Sequence, residues 1–172
     1  FQIITRTDLG GAQSVVVNLA NELCKDHEVI VAAGEGDGKM WKLLAPSIKR
    51  EEISSLHRAL SPINEIKTLF ALRRLYGKYK PDIIHLHSSK VGILGRIAFP
   101  KLKIVYTVHG FDSIRIAYRQ YLPLERILQG YCKMIVGVSE YDGWNLRGEG
   151  IRRNVRVIYN GISIPCALGG DP

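Results

Sequence analysis

Short β-type runs, most of them apolar, alternate with amphipathic helical stretches along almost the whole chain. This alternation constrains the fold more than any other feature. Strands are expected over Gln2–Thr5, Glu28–Ala33, Lys49–Ile53, Asp82–His87, Lys103–Val108, Met134–Val138 and Val155–Tyr159. Between the first two, Ala12–Lys25 carries Val15, Val16, Leu19, Ala20 and Leu23 at helical spacing. A short helix is expected over Met40–Leu44. Ser61-Pro62 then opens a longer one to about Tyr79, with Glu65 in its first turn and Ile66, Leu69, Phe70, Leu72 and Leu75 on its buried face. Ser88-Ser89 are expected to cap a helix over Val91–Phe99, Leu122–Tyr131 reads as helical, and Ser139 caps a helix through Asn145. Apolar strands separated by helices predict an α/β fold. It is a Rossmann-like, mainly parallel sheet with helices on both faces.

In such a sheet, ligands bind beyond the carboxyl ends of the strands. Two loops reach that edge. Thr107-Val108-His109-Gly110-Phe111 puts a titratable ring directly after a strand. Asp8-Leu9-Gly10-Gly11-Ala12-Gln13 puts nearly bare backbone between the first strand and the first helix. Glycine lets backbone N–H groups come close to an anion, and the helix start adds a positive dipole end. Together they suggest a phosphate-bearing ligand in a cleft. Other phosphate signatures fail. Gly34-Glu35-Gly36-Asp37-Gly38-Lys39-Met40 lacks the Ser or Thr of a phosphate loop and has Ala33 where the first glycine should stand. Adjacent Gly10 and Gly11 break the dinucleotide spacing, which argues against a NAD enzyme. His85 and His87 share a strand face and read as hydrogen-bonded histidines rather than metal ligands. Arg115, Arg119 and Lys133 face either an acidic ligand or solvent.

The formal charge of +8 leaves phosphorylated ligands and anionic membranes open as partners. The aromatic-flanked basic pattern of a single-strand nucleic-acid binder is missing, so no nucleic acid is expected. Cys24, Cys132 and Cys166 are widely spaced, which fits unpaired thiols in a reducing cytoplasm and no metal site. No apolar stretch approaches the ~20 residues of a membrane span. The chain starts at Phe1 inside a strand-like run and ends in a tail rich in Gly and Pro, so it is expected to be cut at a domain boundary.

Five segments follow one another in order: Asp8-Leu9-Gly10-Gly11-Ala12-Gln13, Pro81-Asp82-Ile83-Ile84-His85-Leu86-His87-Ser88, Thr107-Val108-His109-Gly110-Phe111, Val138-Ser139-Glu140 and Val157-Ile158-Tyr159-Asn160-Gly161-Ile162. Together they resemble the N-terminal half of retaining GT-B glycosyltransferases of the family 4 type. The resemblance implies that residues 1–160 form a Rossmann-like acceptor-side domain. Residues 161–172 would be a crossover towards a C-terminal donor-binding domain, which carries the paired-glutamate motif for the sugar nucleotide. Ser163 stands where an Asp is common, which leaves that detail of the crossover open.

The implied activity is transfer of a sugar from a sugar nucleotide to a glycan or lipid-linked acceptor in surface polysaccharide synthesis. The setting would be cytoplasmic, with peripheral contact to an anionic membrane left open. Gly10 and Gly11 would lie beside the donor diphosphate, and His109, the catalytic candidate, near the transferred sugar. Ser88, Ser89 and Lys90, at a helix start on the same edge, would meet the acceptor. No metal or other cofactor is implied, and the fragment alone is expected to be inactive. A GT-B-like sugar-nucleotide epimerase and a stand-alone binding domain are the alternatives.

Overall fold

The computed structural model describes residues 1–161. Its strands are β1 (Gln2–Ile4), β2 (Ile30–Ala33), β3 (Lys49–Glu52), β4 (Ile84–His87), β5 (Ile104–Val108), β6 (Met134–Gly137) and β7 (Val155–Val157). Its α-helices are α1 (Gly11–Leu23), α2 (Lys39–Lys42), α3 (Pro62–Tyr79), α4 (Ser89–Ala98), α5 (Leu122–Leu128) and α6 (Glu140–Gly148). The strands form one seven-stranded sheet in the order β3-β2-β1-β4-β5-β6-β7, and every pairing is parallel.

Successive strand residues point to opposite faces, and the two faces carry separate cores. Ile3, Ala32, Ile84, Leu86, Ile104, Tyr106 and Ile135 pack with Leu72 and Leu75 of α3, Val91 and Leu94 of α4, Leu122 of α5 and Leu146 of α6. Ile4, Val31 and Ala33 pack with Val16, Val17 and Ala20 of α1 and Met40 of α2. Burial on both faces is why the inner strands read as largely apolar runs, whereas the edge strand β3, Lys-Arg-Glu-Glu, is mostly exposed.

Local expectations at α3, α4 and α5 are corrected. The buried face of α3 is Thr68, Leu72 and Leu75, whereas Ile66 and Phe70 point outwards at 56% and 66% exposure. The helix carries apolar residues on two sides. The side that packs includes Thr68, whose hydroxyl is satisfied by Ser55 at 2.9 Å. Ser61 does cap α3, accepting from the Asn64 N–H. At α4 the expected serine cap is missing. The helix starts at Ser89, and the Ser88 hydroxyl makes no capping bond but meets the Thr5 hydroxyl across the sheet at 2.6 Å. The segment between β5 and α5 is built of short turns. One turn of π-helix spans Ser113–Ala117 and a 3-10 turn spans Arg119–Tyr121. The helix expected to reach Tyr131 ends at Leu128, and Gln129–Tyr131 form a 3-10 turn.

The strand order reverses between β1 and β4, whose following helices lie on opposite faces of the sheet. A crevice opens there at the carboxyl edge, the general ligand position of such sheets. The crossover expected at 161–172 lies, from residue 162 onwards, outside the described residues.

Candidate functional site

A cleft of about 790 Å³ occupies this crevice. Its floor is the end of β1 and the starts of α1 and α4, with Thr5, Ala12, Gln13, Ser88 and Ser89 in its lining. One wall is the loop before α3, with Arg58, Ala59 and Leu60. The opposite wall is the segment before and within α5, with Tyr118, Tyr121 and Leu124. A smaller recess of about 130 Å³ shares Ala12, Ser88, Ser89 and Ser113 with the cleft and reaches Tyr106, Val108 and His109.

His109 follows β5 directly, and Gly110 at φ 78° lets the chain reverse there. The next residue, Phe111, is fully buried, and its N–H donates to the Asp142 carboxylate at 2.8 Å. Ser139 caps α6 and holds the other oxygen of Asp142 at 2.7 Å. The histidine loop is therefore pinned on both sides. His109 Nε2 lies 3.1 Å from His87 Nδ1, and His87 Nε2 lies 2.8 Å from Gln2 Oε1. One proton assignment satisfies this chain of contacts. His87 donates from Nε2 to Gln2 and accepts at Nδ1 from His109, so His109 keeps its Nδ1 lone pair.

Burial holds the His109 pKa below its usual value, against an opposing pull from Asp142. Burial, then the neighbouring His85, pushes His87 far down. His85 is pushed down to about 4 by burial, with His109 adding to it, and its Nε2 meets the Thr107 hydroxyl at 2.7 Å. At neutral pH the three rings are uncharged hydrogen-bonding groups. His85 and His87 are thus the satisfied histidines their alternation suggested.

Gly10 is the N-cap of α1 in extended backbone, and neither it nor Gly11 has a positive φ. The turn therefore does not depend on glycine's left-handed backbone. Both are exposed, just outside the cleft lining formed by Ala12 and Gln13. A side chain at Gly11 would meet nothing within 4 Å. The first turn of α1 has no side-chain cap and no acidic residue, so no side chain satisfies its N–H groups. The start of α4 has the same character, and Ser88 sits at φ 134° and ψ 153°, a conformation costing roughly 1–3 kcal/mol in a non-glycine residue. By contrast, the starts of α3 and α6 carry serine caps and acidic first turns.

Ser88, Ser89 and Lys90 all line the cleft. The ammonium of Lys90, however, is fully engaged. It pairs with Glu65 at 2.6 Å and donates to the carbonyls of His57 and Ala59, each at 2.6 Å. Arg115 pairs with Asp112, and Arg119 with Glu149. Among the described residues no group of three or more His, Cys, Asp or Glu is arranged to hold a metal ion. Cys24 and Cys132 are free thiols, and Cys166 lies outside the described residues.

Sequence reasoning missed what lies under the recess. Arg96 donates to Glu125 at 2.6 Å with both side chains almost wholly buried. The guanidinium also lies 4.6 Å above the Tyr106 ring. The pair ties α4 to α5 and so fixes one wall of the cleft. Burial raises the Glu125 pKa against the opposing pull of Arg96. Each of these residues is unremarkable in its own helix, and only their long-range pairing gives them meaning.

Residues 9–164 match the family described as Glycosyltransferase Family 4. An Escherichia coli UDP-Gal:alpha-D-GlcNAc-diphosphoundecaprenol alpha-1,3-galactosyltransferase is 34% identical over 121 residues, which cover 64% of this chain and 31% of that protein. A Campylobacter jejuni enzyme is 31% identical over 117 residues, covering 64% of this chain and 32% of its own length. It is a GalNAc-alpha-(1->4)-GalNAc-alpha-(1->3)-diNAcBac-PP-undecaprenol alpha-1,4-N-acetyl-D-galactosaminyltransferase. The fold is similar to that of Anabaena HepE in complex with UDP and glucose. The TM-score is 0.73 at 19% identity, over 94% of this chain and 44% of that one. The chain thus spans about a third of the length of these two curated relatives.

Proposed function

The chain belongs to glycosyltransferase family 4 and has the Rossmann-like fold of GT-B enzymes, and from that premise we propose that it is the acceptor-side half of a retaining glycosyltransferase of surface-polysaccharide synthesis. The donor is a sugar nucleotide, gripped mainly by a C-terminal domain joined through residues 161–172. The acceptor is a lipid-linked glycan. The observation that carries this reading is the cleft at the strand-order reversal, bounded by two uncapped helix starts and continuous with the recess at His109.

Each residue has a defined part in it. The N–H groups of Gly10 and Gly11 steady the leaving diphosphate at the start of α1, where charge develops as the glycosidic bond breaks. Neutral His109 hydrogen-bonds the transferring sugar, its orientation fixed by His87 and Asp142. Ser88 and Ser89 meet the acceptor, and Lys90 holds the rim of the cleft by tying the loop before α3 to α4. The accepting hydroxyl delivers its proton to the departing phosphate oxygen, so the step needs no carboxylate nucleophile. The outward face of α3 contacts anionic membrane at the cytoplasmic surface. No helix among the described residues is long and apolar enough to cross a membrane.

The test is a transfer assay with UDP-sugars and lipid-diphosphate-linked N-acetylhexosamine. The enzyme holding this domain together with a donor-binding half should form an α-linked product from an α-linked donor. The 172-residue chain alone should form none and should give little heat when titrated with sugar nucleotides. An inverted product would overturn retention. Tight nucleotide binding by the isolated chain would overturn the division of labour between the halves.

A further inference from the structure

The cleft is much more apolar than a site for sugar alone requires. Leu60, Leu124 and Tyr118 are 65%, 42% and 39% exposed, yet they converge on one cavity together with Tyr121 and Ile93. Cohesion of the fold does not explain them, because such residues are stabilising only when buried.

The charges in this cleft are unevenly matched. Arg6 is paired with Asp8 at 2.8 Å, and Lys90 with Glu65 at 2.6 Å. Arg58 has no carboxylate on its guanidinium among the described residues. Its backbone N–H is anchored by Glu35 Oε1 at 2.6 Å, and its side chain reaches across the mouth to the Tyr118 hydroxyl at 3.4 Å. The loop is thus fixed while the cationic head keeps donors to spare. A fork of donors beside apolar walls fits a ligand with a phosphate group at one end and hydrocarbon at the other.

We infer that the mouth of the cleft is a lipid-diphosphate subsite, in which Arg58 binds the diphosphate and Leu60, Tyr118, Tyr121 and Leu124 hold the first isoprenoid units of the carrier. This rests on the proposed reading of the cleft as the acceptor site. The sugar then points inwards, past Ser88 and Ser89, to the recess at His109. The hydrocarbon leaves on the side of Ile63 and Ile66, where the surface of α3 is already apolar.

Binding to the 172-residue chain tests this without any turnover. Farnesyl diphosphate, farnesol and inorganic diphosphate are titrated calorimetrically against the wild type and variants, with melting curves alongside. Farnesyl diphosphate should bind more tightly than either half of the molecule. Arg58→Gln should weaken it about tenfold or more, the usual effect of losing hydrogen bonds to a charged group, while farnesol is unchanged. Leu124→Asp should weaken farnesyl diphosphate and farnesol together. Leu60→Asp, at a more exposed position on the facing wall, reads the same property should Leu124→Asp lower the melting temperature. Three results would each overturn the subsite: no binding of farnesyl diphosphate, unchanged binding by Arg58→Gln, or inorganic diphosphate binding as tightly as the lipid form. A failure of sugar transfer would instead remove the proposed function and leave these titrations standing.

Discussion

At the scale of single residues, the candidate site separates into groups that hold the fold and groups free for a ligand. Gly11 belongs to the second kind. It lacks a positive φ, and a side chain there meets nothing. Gly11→Val should therefore melt no more than a degree or two below wild type, since valine is no poorer a helix former than the glycine it replaces. If the donor diphosphate approaches this turn, the same change obstructs it, and turnover of the full enzyme should fall far more than stability does. A stable, fully active variant would show that nothing binds closely here. His109 makes the complementary case. Losing one preorganised polar contact at a reacting centre typically costs ~10²–10³ in rate. His109→Ala should lose that much turnover, and circular dichroism should report an intact fold, since the loop remains held by Phe111 and Asp142. Normal turnover would return His109 to a purely structural role. The position of His109 was legible because a strand end followed by Gly marks the ligand edge. The saturation of Lys90 was not, since its partners come from His57, Ala59 and Glu65. Asp142 was hidden for the same reason, being 31 residues from the N–H it holds.

Elements show where local pattern suffices and where it stops. The inner strands were legible because burial on both faces leaves an apolar run that a covered sheet uses, whereas the charged edge strand β3 carries no such run. Strand order and the crevice between β1 and β4 follow from pairing across distant segments, which periodicity does not encode. Helix α3 marks the limit most clearly. Its sequence is apolar on two sides, and the chain buries the side with Leu72 and Leu75, where Ser55 satisfies the Thr68 hydroxyl. Ile63, Ile66 and Phe70 are left outside, at 67%, 56% and 66% exposure, on the face that also carries Arg73 and Arg74. Neither arginine has an ion pair among the described residues, whereas Lys78 is held by Glu51 at 2.6 Å. An apolar stripe with free cations on one face suits an anionic lipid surface. Each basic group near such a surface contributes about 1 kcal/mol, screened within ~8–10 Å by physiological salt. The chain should co-sediment with phosphatidylglycerol vesicles at low salt and release as salt rises. The double substitution Ile66→Asp, Phe70→Asp should abolish retention without lowering the melting temperature. Equal retention on neutral vesicles, or an unaffected double variant, would leave α3 without a membrane role.

The stability of the whole molecule is linked to pH through the histidines buried behind its site. His85, His87 and His109 all have folded pKa values below the unfolded value of about 6.5. Below that pH the unfolded chain takes up protons that the folded chain refuses. Histidine-linked stability is therefore fully present above about pH 6.5 and is lost as pH falls, for His85 down to about 4. The slope is at most about 1.4 kcal/mol per pH unit for each ring. Glu125 acts in the opposite sense, because burial raises its pKa and its ionisation at higher pH opposes folding. Comparing a variant with wild type cancels that shared contribution. In His85→Gln the amide can replace Nε2 as partner of Thr107 without adding a titrating group. Urea denaturation at several values between pH 7.5 and pH 5 should show wild type losing stability across the acid half of the range, and His85→Gln losing measurably less. Parallel curves for the two proteins would mean that His85 takes up its proton as readily folded as unfolded. The packed, uncharged row of Gln2, His85, His87 and Thr107 would then not be the rigid support that keeps His109 neutral at the cleft.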